Sequence, residues 1–435
     1  MPVPLPRLAF VAVAVTLVGL VSPWSLLTTA IVANAIVAAL FVLDVVLAPS
    51  PGSIVVTRVA PSVLTVGQRG RLEWIVHHPH PRRLTLWVAD ELAPSLGADQ
   101  RRFRVDVPAG ARAEVTTELQ PSRRGAFGIG EMVVRVAGPL RLGARQGSRR
   151  DDALLRVNPP FRSREEAELR ISKSRILDVG LRSTRGRGGG TDFDQLRDYQ
   201  PDDEFRRIDW AATARAGRPI VRTYRAERNQ VVLMLVDNGR VSAGRVDDVP
   251  RVEHAMDAAM MLTAVAGHLG DRVGLVAFDR QVRAVVPPAA GRAQLGTVTE
   301  ALFDLEPSLD ESDYRGAFRE TLARFKRRSL LVLFTDLVEQ AVGESLLPAL
   351  PLLVAHHVVV VVAVQDPEVA RWIADVPVDA EEVYRQAGAL ATLADRRRAA
   401  VRLEAMGVTV IDEPAGTVAG RLADVYLGIK ATGKL

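Results

Sequence analysis

The chain has 435 residues, no cysteine and a formal net charge of +5. This length exceeds what a single hydrophobic core usually serves, and the lack of cysteine excludes a disulfide framework. The positive charge fits a basic nucleic-acid-binding protein, which stays an alternative. However, only four basic residues are lysine, and the arginines are interspersed with Asp and Glu rather than clustered on one face.

Two apolar runs, Leu8–Val21 and Leu26–Leu47, open the chain. A bilayer crossing needs about 20 apolar residues, which the second run has alone and the first has when it extends from Pro4 to Trp24. The link at residues 22–25 leaves room only for a tight turn. A cleaved signal peptide is the alternative, but no small-residue cleavage site follows the first run. We therefore predict a transmembrane helical hairpin over residues 1–49.

The charges around the hairpin predict its orientation. Arg7 precedes it, Arg58, Arg69 and Arg71 follow it, and the link between the runs is uncharged. Since positive residues favour the inner side, both termini should be cytoplasmic and the soluble part should lie on the cytoplasmic face of the cell membrane. Asp44 is costly at mid-bilayer, so we expect it at the headgroup level, where it marks the cytoplasmic edge of the second span.

Residues 50–160 have short runs of alternating apolar and polar residues separated by Gly and Pro turns, a pattern typical of a β-sandwich domain. The predicted strands are Ile54–Val59, Leu72–Val76, Leu84–Val88, Phe103–Val107, Ala113–Leu119, Met132–Val136 and Leu154–Val157. No catalytic grouping is found in this region.

Residues 161–229 are richly charged and contain a glycine run, so we interpret them as a linker that carries a sequence motif. Residues 230–435 alternate apolar runs with helical periodicity, which predicts a doubly wound α/β domain with a parallel sheet. The predicted strands are Val231–Val236, Val273–Phe278, Leu330–Phe334, Val358–Val364 and Val408–Ile411.

Polar residues stand where the strands of this domain end. Asp237 follows the first strand, Asp336 follows Leu330–Phe334, and Ser312 lies in a loop between them. Ligands of such sheets gather at the carboxyl ends of the strands, and hard oxygen ligands suit Mg²⁺. A magnesium site is one interpretation. The other is that the two aspartates cap helices and accept hydrogen bonds from loop amides without an ion.

At these positions the sequence resembles the von Willebrand factor A domain, whose metal-ion-dependent adhesion site uses Asp-x-Ser-x-Ser, a Thr and a second Asp. The resemblance puts Asp237 at the first position, Ser312 at the Thr position and Asp336 at the last. Gly239 and Val241 replace the two serines, so two oxygen ligands are missing. The resemblance therefore implies a degenerate adhesion site.

A haloacid-dehalogenase-like phosphatase is an enzymatic alternative. Such enzymes place a nucleophilic Asp after one strand and a Thr or Ser after another, which Asp237 and Thr335 imitate. The reaction also needs an acid two residues after the nucleophile and a Lys at the phosphoryl group. Gly239 occupies the first of these positions, and Lys326 precedes its strand. We therefore expect no enzyme.

The stretch 191–215, TDFDQLRDYQPDDEFRRIDWAATAR, is similar to the signature of the "domain of unknown function 58" family. Its matching residues are Phe193, Leu196, Arg197, Tyr199, Asp203, Arg206, Asp209, Trp210 and Arg215. Its Arg and Asp residues can form an internal ion-pair network or a contact surface. We favour the internal network, because Ile208 and Trp210 beside them favour burial.

The resemblance extends over the hairpin, the sandwich and the A-type sheet. It implies a partner, since members of the family are typically encoded with MoxR-type AAA+ ATPases and the pair is thought to assemble or activate other proteins. The expected function is that of a membrane-tethered, protein-binding adaptor whose client is unknown.

Overall fold

The computed structural model describes residues 1–19, 24–172, 192–201, 203, 205, 208–225 and 229–432. The chain divides into two compact units, Met1–Asn158 and Pro159–Leu435. Each is considered separately below.

The strands are joined into sheets by backbone pairing. They are β1 (Pro2–Pro4), β2 (Val55–Val59), β3 (Val63–Thr65), β4 (Gly70–His77), β5 (Leu84–Asp90), β6 (Arg102–Val107), β7 (Arg112–Leu119), β8 (Gly125–Ala137), β9 (Gly143–Asn158), β10 (Asp192–Asp198), β11 (Ile220–Arg225), β12 (Val231–Asp237), β13 (Arg245–Val246), β14 (Val249–Pro250), β15 (Arg272–Phe278), β16 (Val282–Ala289), β17 (Leu330–Phe334), β18 (Val358–Gln365) and β19 (Thr409–Pro414).

The helices vary from single turns to 25 residues. They are α1 (Pro6–Gly19), α2 (Leu26–Leu47), α3 (residues 164–172), α4 (Trp210–Ala216), α5 (Arg251–His268), α6 (Ala293–Phe303), α7 (Tyr314–Arg324), α8 (Glu339–Ala341), α9 (Leu347–Ala349), α10 (Pro351–Val354), α11 (Pro367–Ala374), α12 (Ala380–Glu404) and α13 (Val418–Ala431).

The N-terminal apolar runs form two helices that pack against each other. Within the described residues, the stretch Leu27–Ser53 is long and apolar enough to cross a membrane, a property shared by membrane spans and signal sequences, whereas Pro6–Gly19 is shorter. The 14 residues of α1 extend over about 21 Å, less than the roughly 30 Å of a hydrocarbon core. Among the described residues, one apolar helix of spanning length is therefore found, and a second is not.

The turn between β8 and β9 holds both ends of this helix pair. The backbone N–H of Leu5, just before α1, donates to the carbonyl of Leu142 at 2.9 Å, and β1 pairs with the start of β9. Near the end of α2, Asp44 is fully buried and its carboxylate accepts the N–H groups of Leu140, Leu142 and Gly143 at 2.7, 2.7 and 2.9 Å. The chain thus enters and leaves the helix pair at one place.

The rest of the first unit is built from two β-sheets that share one core. One sheet has the order β1-β9-β8-β5-β6 with β3 also on β9, and the other has the order β2-β4-β7. Residues from both sheets, such as Trp74 and Leu86, are completely buried between them. Each predicted strand of this region is present, while β1 and β3 are additional.

The second unit contains a six-stranded sheet in the order β16-β15-β12-β17-β18-β19, parallel except for β16. Helices cover both faces: Met234 on one face packs with α5 and α13, and Leu235 on the other packs with α7 and α12. All seven residues of β12 are buried. The carboxyl ends of β12 and β17 are adjacent, which brings Asp237 and Asp336 to the same edge.

Residues 161–172, at the start of the segment interpreted as a linker, belong to the core of the second unit. Ala167 of α3 is buried in the cluster formed by α5 and α13. Arg170 donates to Asp424 at 2.9 Å and to Glu166 at 2.5 Å. The high charge of this stretch suggested a linker, because charged residues usually lie in solvent. The sequence does not show that these charges form ion pairs on one face of a helix. The glycine run at 185–190 lies outside the described residues.

Candidate functional site

Asp237 stands at the carboxyl end of β12, where the sheet topology predicts a ligand site. Its side chain is only 1% exposed. One oxygen accepts the N–H of Gly239 at 2.9 Å and the hydroxyl of Ser312 at 2.5 Å. The other accepts the hydroxyls of Tyr314 at 2.6 Å and Thr335 at 2.8 Å. Four donors therefore surround this carboxylate.

Tyr314 is a member of this site that sequence reasoning missed. It begins α7, which Asp313 caps by accepting the N–H of Gly316. Burial, and then the charge of Asp237, raises the pKa of the Tyr314 phenol well above its ordinary value. The phenol is thus held protonated and donates to the carboxylate. The only feature of the sequence that pointed to Tyr314 as part of this site was its position two residues after Ser312.

Gly239 occupies the position of the first serine in the adhesion-site pattern. A Cβ atom there would lie 2.1 Å from Oγ of Ser312 and 2.9 Å from the carbonyl oxygen of Asp310. The loop that carries Ser312 therefore closes over the place where a serine side chain would stand. The replacement by glycine permits this closure.

Asp336 is at the same edge of the sheet, but it is engaged by arginines. Nη1 of Arg396 lies 2.6 Å from one of its oxygens, and Nη1 of Arg251 lies 2.9 Å from the other. Arg396, on α12, also contacts Asp412 of β19 at 2.6 Å. The Asp336 side chain is 3% exposed, so its charge is balanced inside the protein.

The three predicted metal ligands therefore do not fit a magnesium ion. Asp237 and Ser312 contact each other and share their oxygens with protein donors, while Asp336 faces two cations, which repel Mg²⁺. Within the described part of the chain, no group of three or more His, Asp or Glu side chains is placed to hold a metal. Asp237 accepts a loop amide, as in the other interpretation, whereas Asp336 is bound by two arginines from helices.

The same geometry bears on phosphatase chemistry. Thr335, which would hold the phosphoryl group, instead donates to Asp237. A nucleophilic carboxylate must reach its substrate, yet Asp237 is enclosed by four hydrogen bonds. Lys326 is an exposed residue that precedes β17. No observation favours a nucleophilic role for Asp237.

The signature motif forms a small antiparallel ribbon, β10 and β11, with α4 between its strands. Arg197 on β10 makes two hydrogen bonds to Asp203, at 2.6 and 2.7 Å, and the side chain of Asp203 is 6% exposed. These hydrogen bonds to the carboxylate of Asp203 raise the pKa of Arg197. Tyr199 is half-buried, and its N–H donates to the carbonyl of Pro219. The ion pair expected inside the motif is present.

Asp209 fixes the start of α4. It accepts the N–H groups of Ala211 and Ala212, both at 3.0 Å, and the guanidinium of Arg222 at 2.8 Å. The hydrogen bond from Arg222, followed by that from Ala212, lowers the pKa of Asp209. Arg215, in the last turn of α4, is exposed and donates to the carbonyl of Ala211. This N-cap sets the direction in which the next residue, Trp210, points.

Trp210 is 60% exposed and Phe205 is 68% exposed, and their rings meet edge-to-face with centroids 5.5 Å apart. The expectation that Trp210 is buried was therefore wrong, whereas Ile208 is buried. We call Phe205 and Trp210 the aromatic pair. Leu196 of the motif is also 44% exposed. Two other motif positions, Arg206 and the side chain of Phe193, lie outside the described residues.

One family model matches part of the chain. The model described as protein of unknown function DUF58 matches residues 195–402. The match begins within β10 and ends within α12, so it includes most of the signature motif and of the six-stranded sheet.

Curated relatives include uncharacterized proteins of Mycobacterium bovis and of two strains of Mycobacterium tuberculosis. Each is 28% identical over 182 residues, which is 41% of this chain and 56% of the relative. The match thus spans about half the length of these relatives.

Similar solved structures include the CARDB domain of a Pyrococcus furiosus protein in complex with di-metal ions, with 13% identity, a TM-score of 0.17 and coverage of 24% of this chain and 91% of that one. Another is the complex of zinc 2-glycoprotein with prolactin inducible protein from human seminal plasma, with 10% identity, a TM-score of 0.18 and coverage of 24% and 92%. At these TM-scores neither likeness bears on fold or function.

Proposed function

We propose that this protein is a membrane-tethered adaptor that binds other proteins through the aromatic pair, Phe205 and Trp210. The observation that carries the proposal is a contrast within one motif: the Arg197–Asp203 ion pair is largely buried, while the rings of Phe205 and Trp210 face solvent. Exposing a Trp and a Phe together costs hydrophobic free energy, and such rings are enriched at the centres of protein interfaces.

The hydrogen bonds within the motif support a binding role. Arg197 donates to Asp203 next to the ribbon, and Asp209 caps the start of α4. Pre-organised side chains lose little entropy on binding, so a small surface of this kind can hold a partner. The partner we propose is a MoxR-type AAA+ ATPase, with which this chain would assemble or activate client proteins.

We propose further that the second unit is a von Willebrand A-like domain that does not use a metal. The sheet order, with β12 central and β16 antiparallel at one edge, is compatible with that fold. The hydroxyls of Ser312, Tyr314 and Thr335 fill the space around Asp237 that a cation would need. Contact with a client at this edge would then rely on protein groups alone.

The tether we propose is a hairpin of two spans with both termini in the cytoplasm. Because Leu5 and Asp44 are bound by the same turn, both ends of the helix pair lie on the same side. The positions of Arg7 and Arg58 favour the cytoplasmic side. A reporter fused after residue 47 that is active only outside the cytoplasm should stay inactive, and activity there would reject this orientation.

Affinity purification from solubilised membranes tests the adaptor function. The full chain is compared with Trp210→Ala, and with Trp372→Ala as a matched control, since Trp372 is a partly exposed Trp outside the motif. An AAA+ ATPase should be recovered with the unmodified chain and with the control, and lost with Trp210→Ala. Equal recovery with all three proteins would reject the aromatic pair as the binding site.

A further inference from the structure

We propose that the turn between β8 and β9, residues 138–143, with its neighbouring arginines, is a binding site for anionic phospholipid headgroups at the membrane surface. This inference rests on the tether in the proposed function, since it requires α2 to lie in a bilayer. It adds that the sandwich itself contacts the lipid. We call residues 138–143 the juxtamembrane turn.

The depth of the juxtamembrane turn is set by α2. Three of its backbone N–H groups bind the carboxylate of Asp44, three residues before the end of the helix. Arg145 adds a hydrogen bond from Nη1 to the carbonyl of Ala48 at 3.3 Å. A buried carboxylate with three N–H donors is a strong attachment. When α2 spans a bilayer, the turn must therefore lie at the same headgroup level as Asp44.

The turn lies in close contact with the helix. A Cβ atom on Gly138 would lie 2.4 Å from Asp44, and one on Gly143 would lie 2.5 Å from Val45 and 2.8 Å from Phe41. Glycine at these two positions thus allows direct backbone contact with α2. No solvent-filled gap separates the turn from the helix surface at these points.

The turn presents an apolar side chain at this depth. Leu140 is 48% exposed although its N–H is bound to Asp44. Trp87 packs nearby against Leu5 and Ala137, and the guanidinium of Arg104 lies 5.7 Å from the centre of its ring. Trp rings and leucines bordered by arginine are typical of segments that sit at the lipid–water interface.

The charge next to the turn is positive. Arg104 and Arg141 lie 3.6 and 3.8 Å from the carboxylate of Asp106. A hydrogen bond from Thr85, and then the charges of Arg104, Arg141 and Arg83, lower the pKa of Asp106. Three arginines thus surround one carboxylate, which leaves positive charge to attract lipid phosphates. Cations near an anionic membrane surface are attracted to it, so the preference for anionic lipid should be measurable.

The lack of native cysteine permits a direct test with single spin labels. The full-length variant Leu140→Cys is labelled and reconstituted in vesicles of phosphatidylcholine and phosphatidylglycerol, and the accessibility of the label to oxygen and to a water-soluble nickel chelate is measured. Ile36→Cys in α2 reports on the span, and Leu154→Cys, an exposed site far along β9 from the turn, reports on solvent.

We expect the label at position 140 to favour oxygen over the nickel chelate, as at position 36, and the label at 154 to do the opposite. If the label at 36 is buried in lipid, the tether is upheld. Equal accessibility of the labels at 140 and 154 would then overturn the inference alone. A label at 36 that is exposed to the nickel chelate would instead reject the tether itself.

The lipid composition tests the headgroup specificity. Because α2 fixes the depth of the turn, specificity is read from the lipid that stays bound after detergent extraction from mixed vesicles. Phosphatidylglycerol should be retained in preference to phosphatidylcholine, and Arg141→Gln should lower this preference. The matched control is Arg69→Gln, an exposed arginine in the loop before β4. Equal retention of the two lipids by the unmodified chain would overturn the role of the arginines.

Discussion

The phenol of Tyr314 donates a 2.6 Å hydrogen bond to the carboxylate of Asp237. In an adhesion site of the von Willebrand type a cation would satisfy this carboxylate. Here a hydroxyl from α7, together with Ser312 and Thr335, takes that role. The carboxylate of Asp237 therefore lies within a packed network of hydrogen bonds from protein groups.

The first prediction concerns metal ions. Millimolar Mg²⁺ or Mn²⁺ is expected to leave the Tm unchanged, because Asp237 already has four donors and Asp336 is bound by two arginines. A ligand that binds only the folded state would raise the Tm. Differential scanning fluorimetry with and without metal is the measurement. A rise in Tm that Asp237→Ala abolishes would refute the metal-free account.

The second prediction concerns alkaline pH. Burial, and then the charge of a nearby aspartate, raises the pKa of Tyr314 and of Tyr426 well above the ordinary value, with Asp237 and Asp271 as the respective carboxylates. The folded state therefore keeps protons that the unfolded state releases above about pH 10. The free energy of unfolding should be fully present below that pH and fall as the pH rises above it.

Urea unfolding between about pH 9 and 11 measures this slope. Tyr314→Phe should make the decline with pH less steep, because one proton fewer is retained. Tyr384→Phe serves as the control, since that ring is 80% exposed. Identical slopes for the two variants would show that the buried phenol is not linked to stability.

The third prediction concerns Arg396, which joins Asp336 to Asp412. Its removal leaves two carboxylates without their buried partner, so Arg396→Ala should lower the free energy of unfolding by about 3–5 kcal/mol. Arg398→Ala is the matched control on the same helix, because Arg398 pairs with Glu339 at the surface. It should have no detectable effect in urea titrations. Comparable losses in both variants would contradict the assignment of Arg396 as the link across the sheet edge.

The fourth prediction concerns Asp44. In Asp44→Asn an amide group replaces an oxygen that accepts the N–H groups of the juxtamembrane turn, so the turn should open more often, at a cost of at least about 1.5 kcal/mol. Hydrogen exchange of residues 138–143 in micelles should speed up about tenfold or more. The exposed residue Asp99 provides the control variant Asp99→Asn. Unchanged exchange in Asp44→Asn would mean that the carboxylate does not hold the turn.

Many of the strands could be predicted from the sequence, because buried parallel strands have a recognisable pattern of consecutive apolar residues. The runs around Leu235, Leu333 and Val361 are continuous and Val- or Leu-rich, and each is a central strand. The edge strand β16 was missed because Pro287 and Pro288 interrupt its apolar pattern, a composition that an edge strand tolerates. Strand β1 was missed because Pro2 and Pro4 suggest a turn, although β1 pairs only with β9 at the edge of its sheet.

The candidate sites were less predictable, since they depend on contacts between distant segments. Asp44 was placed at a boundary, but no local pattern indicates that it binds a turn nearly 100 residues later. Tyr314 was overlooked because tyrosine is not a metal ligand in the adhesion-site pattern. Trp210 was expected in the core from its residue type alone, whereas the Asp209 cap and the start of α4 direct it to solvent.

The central claim is that the aromatic pair contacts a partner protein in the cell. A photo-reactive amino acid placed at position 210 of the full chain, with position 372 as the control, would record the contact directly after irradiation of intact cells. We expect a discrete crosslinked product with an AAA+ ATPase at position 210 and none at position 372. No crosslink at 210, or the same products at both positions, would contradict the account.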